Sequence, residues 1–285
     1  MSQSIRISAD STCDLGPALV EKYQIRILPL HVNLEDKSFF DGVDIQPDDI
    51  YQTYHEKKIL PKTAAGSIGE YTDLFTELTA DGSAVIHFSI GSSLSASNNN
   101  ARLAAEDFEN VYVIDTQNLS TGSGLLVLAA HDRMTAGMPA AQIAEEVAAL
   151  VANSHASFVI DTLEFLHKGG RCSALAMLGA NMLQLKPCIA VDNQAGGKMG
   201  VAKKYRGSLD KALEMYVKDQ LADRTDLDLK RVFITHSGIS EERIAAVKAL
   251  IAQYANFEEI LVTRAGCTIS SHCGPNTLGV LFMTA

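Results

Sequence analysis

Asp10-Ser11-Thr12-Cys13-Asp14, Lys62-Thr63, Ser92-Ser93-Leu94-Ser95, His167-Lys168-Gly169-Gly170-Arg171 and Ser271-His272-Cys273-Gly274-Pro275 break up the apolar runs of this chain. Four of the five directly follow a strand-like run or end in a helix-opening residue. In an open α/β sheet, ligands bind at the carboxyl ends of the strands. The hydroxyls, one arginine and one histidine describe a pocket for a small anionic head group. None of these segments describes a nucleotide site or a metal cage.

Each segment also has a plainer reading. Ser92, Ser93 and Ser95 stand between a strand and a helix, where free backbone N–H groups bind carboxylates or phosphates. One serine there would be no more than a helix cap. Three hydroxyls in four positions leave both readings open. Thr63 is followed by Ala64-Ala65-Gly66, small residues that open the backbone to a ligand or simply lead into the next helix. Arg171 follows two glycines and offers a fork suited to a carboxylate or phosphate, or a solvated surface charge. His272 lies in a Ser- and Gly-rich stretch read as a loop. It can donate to an anion or exchange protons near neutral pH, or merely cap a strand end.

Several chemistries lack their residues. Gly-x-x-x-x-Gly-Lys-Ser/Thr, Gly-x-Gly-x-x-Gly after the first strand and Gly-x-Ser-x-Gly are all missing, which removes the common phosphate loops and the nucleophile elbow. The eight histidines are scattered, so no metal site is expected. Trp is absent and aromatics are 6%, which disfavours base or sugar stacking. An enzyme using Ser95 or Cys273 for acyl transfer or hydrolysis remains the alternative to a binding protein.

A chain of 285 residues, 47% apolar and 20% charged, has room for two cores. The net charge of −10 argues against nucleic acid as the main partner. It is uneven: residues 1–160 carry −12 and residues 161–285 carry +2. Five cysteines without a Cys-x-x-Cys pair, a start that runs straight into a strand, and no apolar stretch of about 20 residues suggest a cytoplasmic protein with reduced thiols.

The elements that must position these segments alternate. Strands are expected at Ile5–Ala9, Ile25–Leu34, Ala84–Ser89 and Val111–Ile114. Helices are expected from Asp14 to Tyr23, from Pro47, from the capping box Ser67…Glu70, from Leu94 or Ser95, and over 119–136 and 140–153. This pattern predicts a parallel doubly wound sheet over residues 1–155. Residues 156–285 are less regular. A strand over Ser157–Thr162, a hairpin of Pro187–Val191 with Met199–Tyr205, and strands at 231–235, 259–263 and 278–284 predict a mixed-sheet α/β domain.

Taken in order, these segments resemble the DegV family of bacterial fatty-acid-binding proteins. The likeness runs from Asp10-Ser11-Thr12-Cys13-Asp14-Leu15 through Pro61-Lys62-Thr63, Ser92-Ser93-Leu94-Ser95, Gly169-Gly170-Arg171, Lys186-Pro187 and His236-Ser237-Gly238. It ends at His272-Cys273-Gly274-Pro275 and Leu278-Gly279. The resemblance implies two α/β domains with a tunnel between them holding one long-chain fatty acid, and no cofactor. Thr63 and Ser95 would hold the carboxylate, with Ser93 and His272 beside them. Arg171 and His272 would face a separate ATP-dependent fatty acid kinase subunit that makes acyl phosphate. Two departures flank the head-group position: Ala64-Ala65-Gly66 where the family has Ser-Gln-Pro, and Ala96-Ser97-Asn98 where it has Gly-Thr-Tyr.

Overall fold

The computed structural model describes residues 3–171 and 185–285, so Cys172 lies outside it. The first part of the chain comprises β1 (Ile5–Asp10), α1 (Gly16–Lys22), β2 (Arg26–Leu28), β3 (His31–Leu34), β4 (Lys37–Phe40), α2 (Pro47–Lys57), β5 (Lys62–Ala64), α3 (Ile68–Thr79), β6 (Ala84–Ser89), α4 (Ser97–Ala105), β7 (Val111–Asp115), α5 (Thr121–Thr135) and α6 (Ala140–Ala149). The second comprises β8 (Ser154–His155), β9 (Ser157–Val159), α7 (Glu164–Gly169), β10 (Leu185–Asp192), β11 (Lys198–Arg206), α8 (Leu209–Leu221), β12 (Leu227–His236), α9 (Glu241–Tyr254), β13 (Glu259–Arg264), α10 (Cys267–Cys273) and β14 (Leu278–Thr284).

Strands β2-β1-β6-β7 form a parallel sheet in that order. β6 is buried along its whole length, so its sequence is a near-continuous apolar run. Ala84, Ile86 and Phe88 pack with Leu126 of α5 and Ile143 of α6. Val85 packs with Tyr71 and Phe75 of α3 and Ala101 of α4. Helices thus cover both faces, as the alternation predicts. The second sheet runs β11-β10-β9-β14-β12-β13, with β8 added beside β14. It is mixed: β12 and β13 are parallel, while β10 and β11 form the expected hairpin.

Helix α5 joins the two sheets. Thr121 to Ala130 are all buried, and Leu125, Leu126, Val127, Leu128 and Ala130 share one core with Phe88 of the first sheet and Phe233 and Leu281 of the second. Gly124 lets α5 lie against the turn after β1, because a Cβ there would lie 2.8 Å from the carbonyl oxygen of Cys13.

Some expectations need correction. Ile25–Leu34 is not one strand. Pro29 has no N–H for a ladder, and the chain leaves the parallel sheet there. β3 then pairs with β4 and β5 in a small antiparallel sheet. The strand expected to reach Thr162 stops at Val159. α4 starts at Ser97, not at Leu94 or Ser95. Asp14 does not cap α1, which begins with Pro17 in its first turn and no side-chain cap. His272 is not in a loop: Cys267–Cys273 is helical.

Candidate functional site

The unexpected helix α10 shows what the first polar segment does. A helix starts with N–H groups that lack helical partners. Here Gly266 N donates to Asp14 Oδ1 at 2.8 Å, Cys267 N to Asp41 Oδ1 at 2.6 Å and Thr268 N to Asp41 Oδ2 at 3.0 Å. The Asp41 carboxylate at this end also matches the positive pole of the helix. Ser11 Oγ donates to Asp41 Oδ2 at 2.9 Å and accepts from Leu30 N at 3.1 Å. Ser120 Oγ donates to Asp14 Oδ2 at 2.5 Å. Asp10-Ser11-Thr12-Cys13-Asp14 is therefore a socket that grips α10. Asp41, in the turn after β4, carries no local sequence signal that marks this role.

Burial pushes the Asp14 carboxyl up to about 8, against the pull of its Ser120 and Gly266 hydrogen bonds; Asp41 and Asp10 add to the rise. The folded state thus holds this proton more tightly than the unfolded chain. The resulting stability is complete below the ordinary Asp value and is lost as pH rises through about 8. Asp14→Asn keeps an acceptor for Gly266 N and removes the titration. Its melting temperature relative to wild type is expected to climb between pH 5 and pH 8, by the equivalent of a few kcal/mol at roughly 1.4 kcal/mol per pKa unit. A difference that stays constant across that range would show that Asp14 titrates normally.

Gripped in this way, α10 delivers His272. Its Nε2 lies 2.9 Å from Thr63 Oγ1, and Thr63 is held on β5 opposite Val32. Burial, and secondarily the Arg171 charge, push the imidazole down to about 4. His272 is therefore neutral near pH 7. It can orient a carboxylate, but it does not balance its charge as a cation would. An anion bound beside it would raise its pKa. Its Nδ1 is buried with no hydrogen-bond partner, against the end of α7. A Cβ on Gly169 would collide with that nitrogen, so the first glycine of the Gly-Gly-Arg segment makes room for the ring. Gly170 takes φ +68° and ends α7. Arg171 follows it, exposed, with Nη1 donating to Gly169 O at 2.8 Å.

Thr63, Ser95, Arg171 and His272 line one cavity. Leu30, Ile90, Leu94, Leu119 and Leu166 form much of its apolar wall. The space between atoms is about 590 Å³, open mouth included. Leu119, Ile269 and Cys273 also line a second, mainly apolar space of about 320 Å³ that reaches Phe158 and Leu281. Ser95 is half-buried, and its Oγ accepts Ser97 N at 3.2 Å and lies 3.0 Å from Ser97 Oγ. Ser93 is exposed and stands apart from the cavity lining. The run of serines could not tell which hydroxyl turns inward. Burial raises the Cys273 thiol to about 12, which keeps it protonated and unreactive. The groove residues Leu119 and Ile269 had no mark in the sequence beyond hydrophobicity.

Among the described residues no group of His, Cys, Asp and Glu could hold a metal, and no helix is long and apolar enough to cross a membrane. A family model described as uncharacterised DegV proteins matches residues 4–285. A DegV domain-containing protein of Caldanaerobacter subterraneus is 28% identical, covering 98% of this chain and 99% of the relative. One from Clostridium perfringens is 30% identical, covering 98% of each. Among solved structures, the fatty-acid-binding DegV family protein of Thermus thermophilus superposes with a TM-score of 0.88, at 30% identity over 99% of this chain and 100% of its own. The stearic-acid-binding protein of Eubacterium ventriosum gives 0.82, at 26% identity over 98% of each. A match from residue 4 to residue 285, repeated at the level of the fold, makes this chain a member of the DegV family.

Proposed function

We propose that this chain binds one long-chain fatty acid between a first domain, residues 1–155, and a second, residues 156–285, and presents its carboxylate to a partner kinase that makes acyl phosphate. One observation carries the reading. A cavity with hydroxyls, a neutral imidazole and a guanidinium at one place shares Leu119, Ile269 and Cys273 with a second, mainly apolar space. That is the polarity profile of a fatty acid. The Thermus thermophilus and Eubacterium ventriosum proteins, which bind such ligands, share the fold.

The energetics agree. Burying about 16 carbons at ~0.8 kcal/mol each gives ample gross affinity, from which the costs of association are subtracted. A buried carboxylate needs donors, and Thr63 and Ser95 can supply them without a buried cation. Arg171 is exposed at the end of α7, and a guanidinium there would stabilise charge developing on a transferred phosphoryl group. The alternative enzyme finds little support: Ser95 Oγ bonds Ser97 rather than a histidine, and Cys273 is a protonated thiol.

Mass spectrometry of the compounds released from denatured, freshly purified protein tests the ligand class. Near-stoichiometric free fatty acid is the expected result, and a covalent acyl adduct would favour the enzyme. Thr63→Ala/Ser95→Ala should weaken palmitate binding by well over tenfold, since each hydrogen bond to a charged group is worth about 1.5–3 kcal/mol. Arg171→Ala should keep palmitate affinity within a few-fold and lose most acyl phosphate formation with a cognate kinase. Unchanged phosphorylation would remove Arg171 from the transfer step.

A further inference from the structure

We infer that Thr268 is a further hydroxyl donor to the ligand's head group, a deepening that rests on the fatty-acid reading above. Helix α10 carries three hydroxyl side chains. Ser270 Oγ donates to Ala265 O at 3.2 Å and Ser271 Oγ to Cys267 O at 2.6 Å. Both are spent on backbone carbonyls about one turn behind them. Thr268 is the second residue of the helix, so no helical carbonyl lies a turn behind it. Its hydroxyl is left with no hydrogen-bond partner, although the residue is only 6% exposed. Buried polar groups rarely remain in that state in a working protein.

The position of Thr268 says what the missing partner is. It lines the same cavity as Thr63, Ser95 and His272. It precedes His272 by four residues, which puts the two on one face of the helix, about 5–6 Å apart at Cβ. Its backbone N–H is already committed to Asp41, so the hydroxyl is the donor it has left. The β5 wall opposite is poor in donors, because Ala64 and Ala65 follow Thr63 along the lining. A carboxylate accepts at about four lone-pair sites, more than Thr63 and Ser95 fill. Thr268 has no second hydrogen-bonding duty to give up. A carboxylate oxygen near Thr63 and His272 gives its hydroxyl a charged acceptor, and the interaction is charge-assisted.

The test compares wild type, Thr268→Val and Thr268→Ser. Valine keeps the shape and removes the hydroxyl; serine keeps the hydroxyl. Palmitate affinity is measured by calorimetry, and the bound head group by the carbon NMR resonance of carboxyl-labelled palmitate. Thr268→Val is expected to weaken palmitate tenfold to hundredfold and to move the carboxyl resonance, and Thr268→Ser should restore both. A Thr268→Val protein that melts with wild type and binds palmitate equally well or more tightly overturns the inference. So does weakened binding with an unmoved carboxyl resonance, or a loss confined to 3-hydroxypalmitate, which would make Thr268 a reader of the chain. Should valine prevent folding, Thr268→Ala with the same resonance decides. Wild-type protein that takes up no palmitate at all would instead reject the fatty-acid function itself.

Discussion

Asp41→Ala is expected to melt about 10 °C below wild type and to lose fatty-acid binding with it. Asp41 is 4% exposed and accepts from Cys267 N, Thr268 N and Ser11 Oγ. Removing the carboxylate strands two buried backbone donors at the start of α10. Hydrogen bonds to charged groups contribute about 1.5–3 kcal/mol each, and breaking such a buried arrangement from one side costs roughly 3–5 kcal/mol. At about 2–4 °C per kcal/mol for a chain of this size, the shift follows. The functional loss has the same origin, because α10 holds both His272 and Thr268. Asp41→Asn keeps one acceptor and should fall between the two. Calorimetric melting of the three proteins checks this; an alanine variant that melts with wild type would mean that α10 is anchored elsewhere.

The second large effect concerns Ile269, which the proposed acyl chain would have to pass to occupy both spaces. Ile269 lines both, so a bulkier side chain there would narrow the proposed passage. For wild type, affinity should strengthen by ~0.8 kcal/mol for each added CH₂ as the chain lengthens. From 10 to 16 carbons that amounts to a factor of more than a thousand. In Ile269→Phe the increments should stop at the length that reaches residue 269. Decanoate would bind nearly as in wild type, and palmitate would lose most of its advantage. A titration series of saturated acids from 8 to 18 carbons reads this directly. Parallel slopes in the two proteins would place the acyl chain outside this passage.

Much of the scaffold was legible because its determinants are local. The Ser67–Glu70 capping box opens α3. The buried run Ala84–Ser89 is β6. α10 was not legible, since its capping groups stand 226 and more residues away in sequence. A Ser-, Cys- and Gly-rich stretch without its own N-cap reads as loop, and the helix exists because Asp14 and Asp41 reach it. Pro29 was a visible signal that the strand from Ile25 had to end, yet the β-branched residues around it dominated the reading. At the candidate site, Thr63, Ser95, Arg171 and His272 come from four separate elements. Their order along the chain supported the family resemblance, but only the fold shows that Ser95 lines the cavity and Ser93 does not.

The grip on α10 has a consequence for how the protein is made. The contacts that seat α10 and His272 join residues 209 to 252 positions apart in the chain. Closing such long loops has to precede the reward from the contacts they allow, and pairings of this kind form slowly. The parallel sheet can assemble around β6 while α10 is still unstructured, so binding competence should mature after the bulk of the secondary structure. In refolding from denaturant, palmitate capture is expected to lag behind the recovery of helical circular dichroism, and the two curves would coincide if α10 seated early. A ligand that binds only the seated helix then acts as the chain's own quality check, because it adds stability only to molecules whose first and last thirds have found each other.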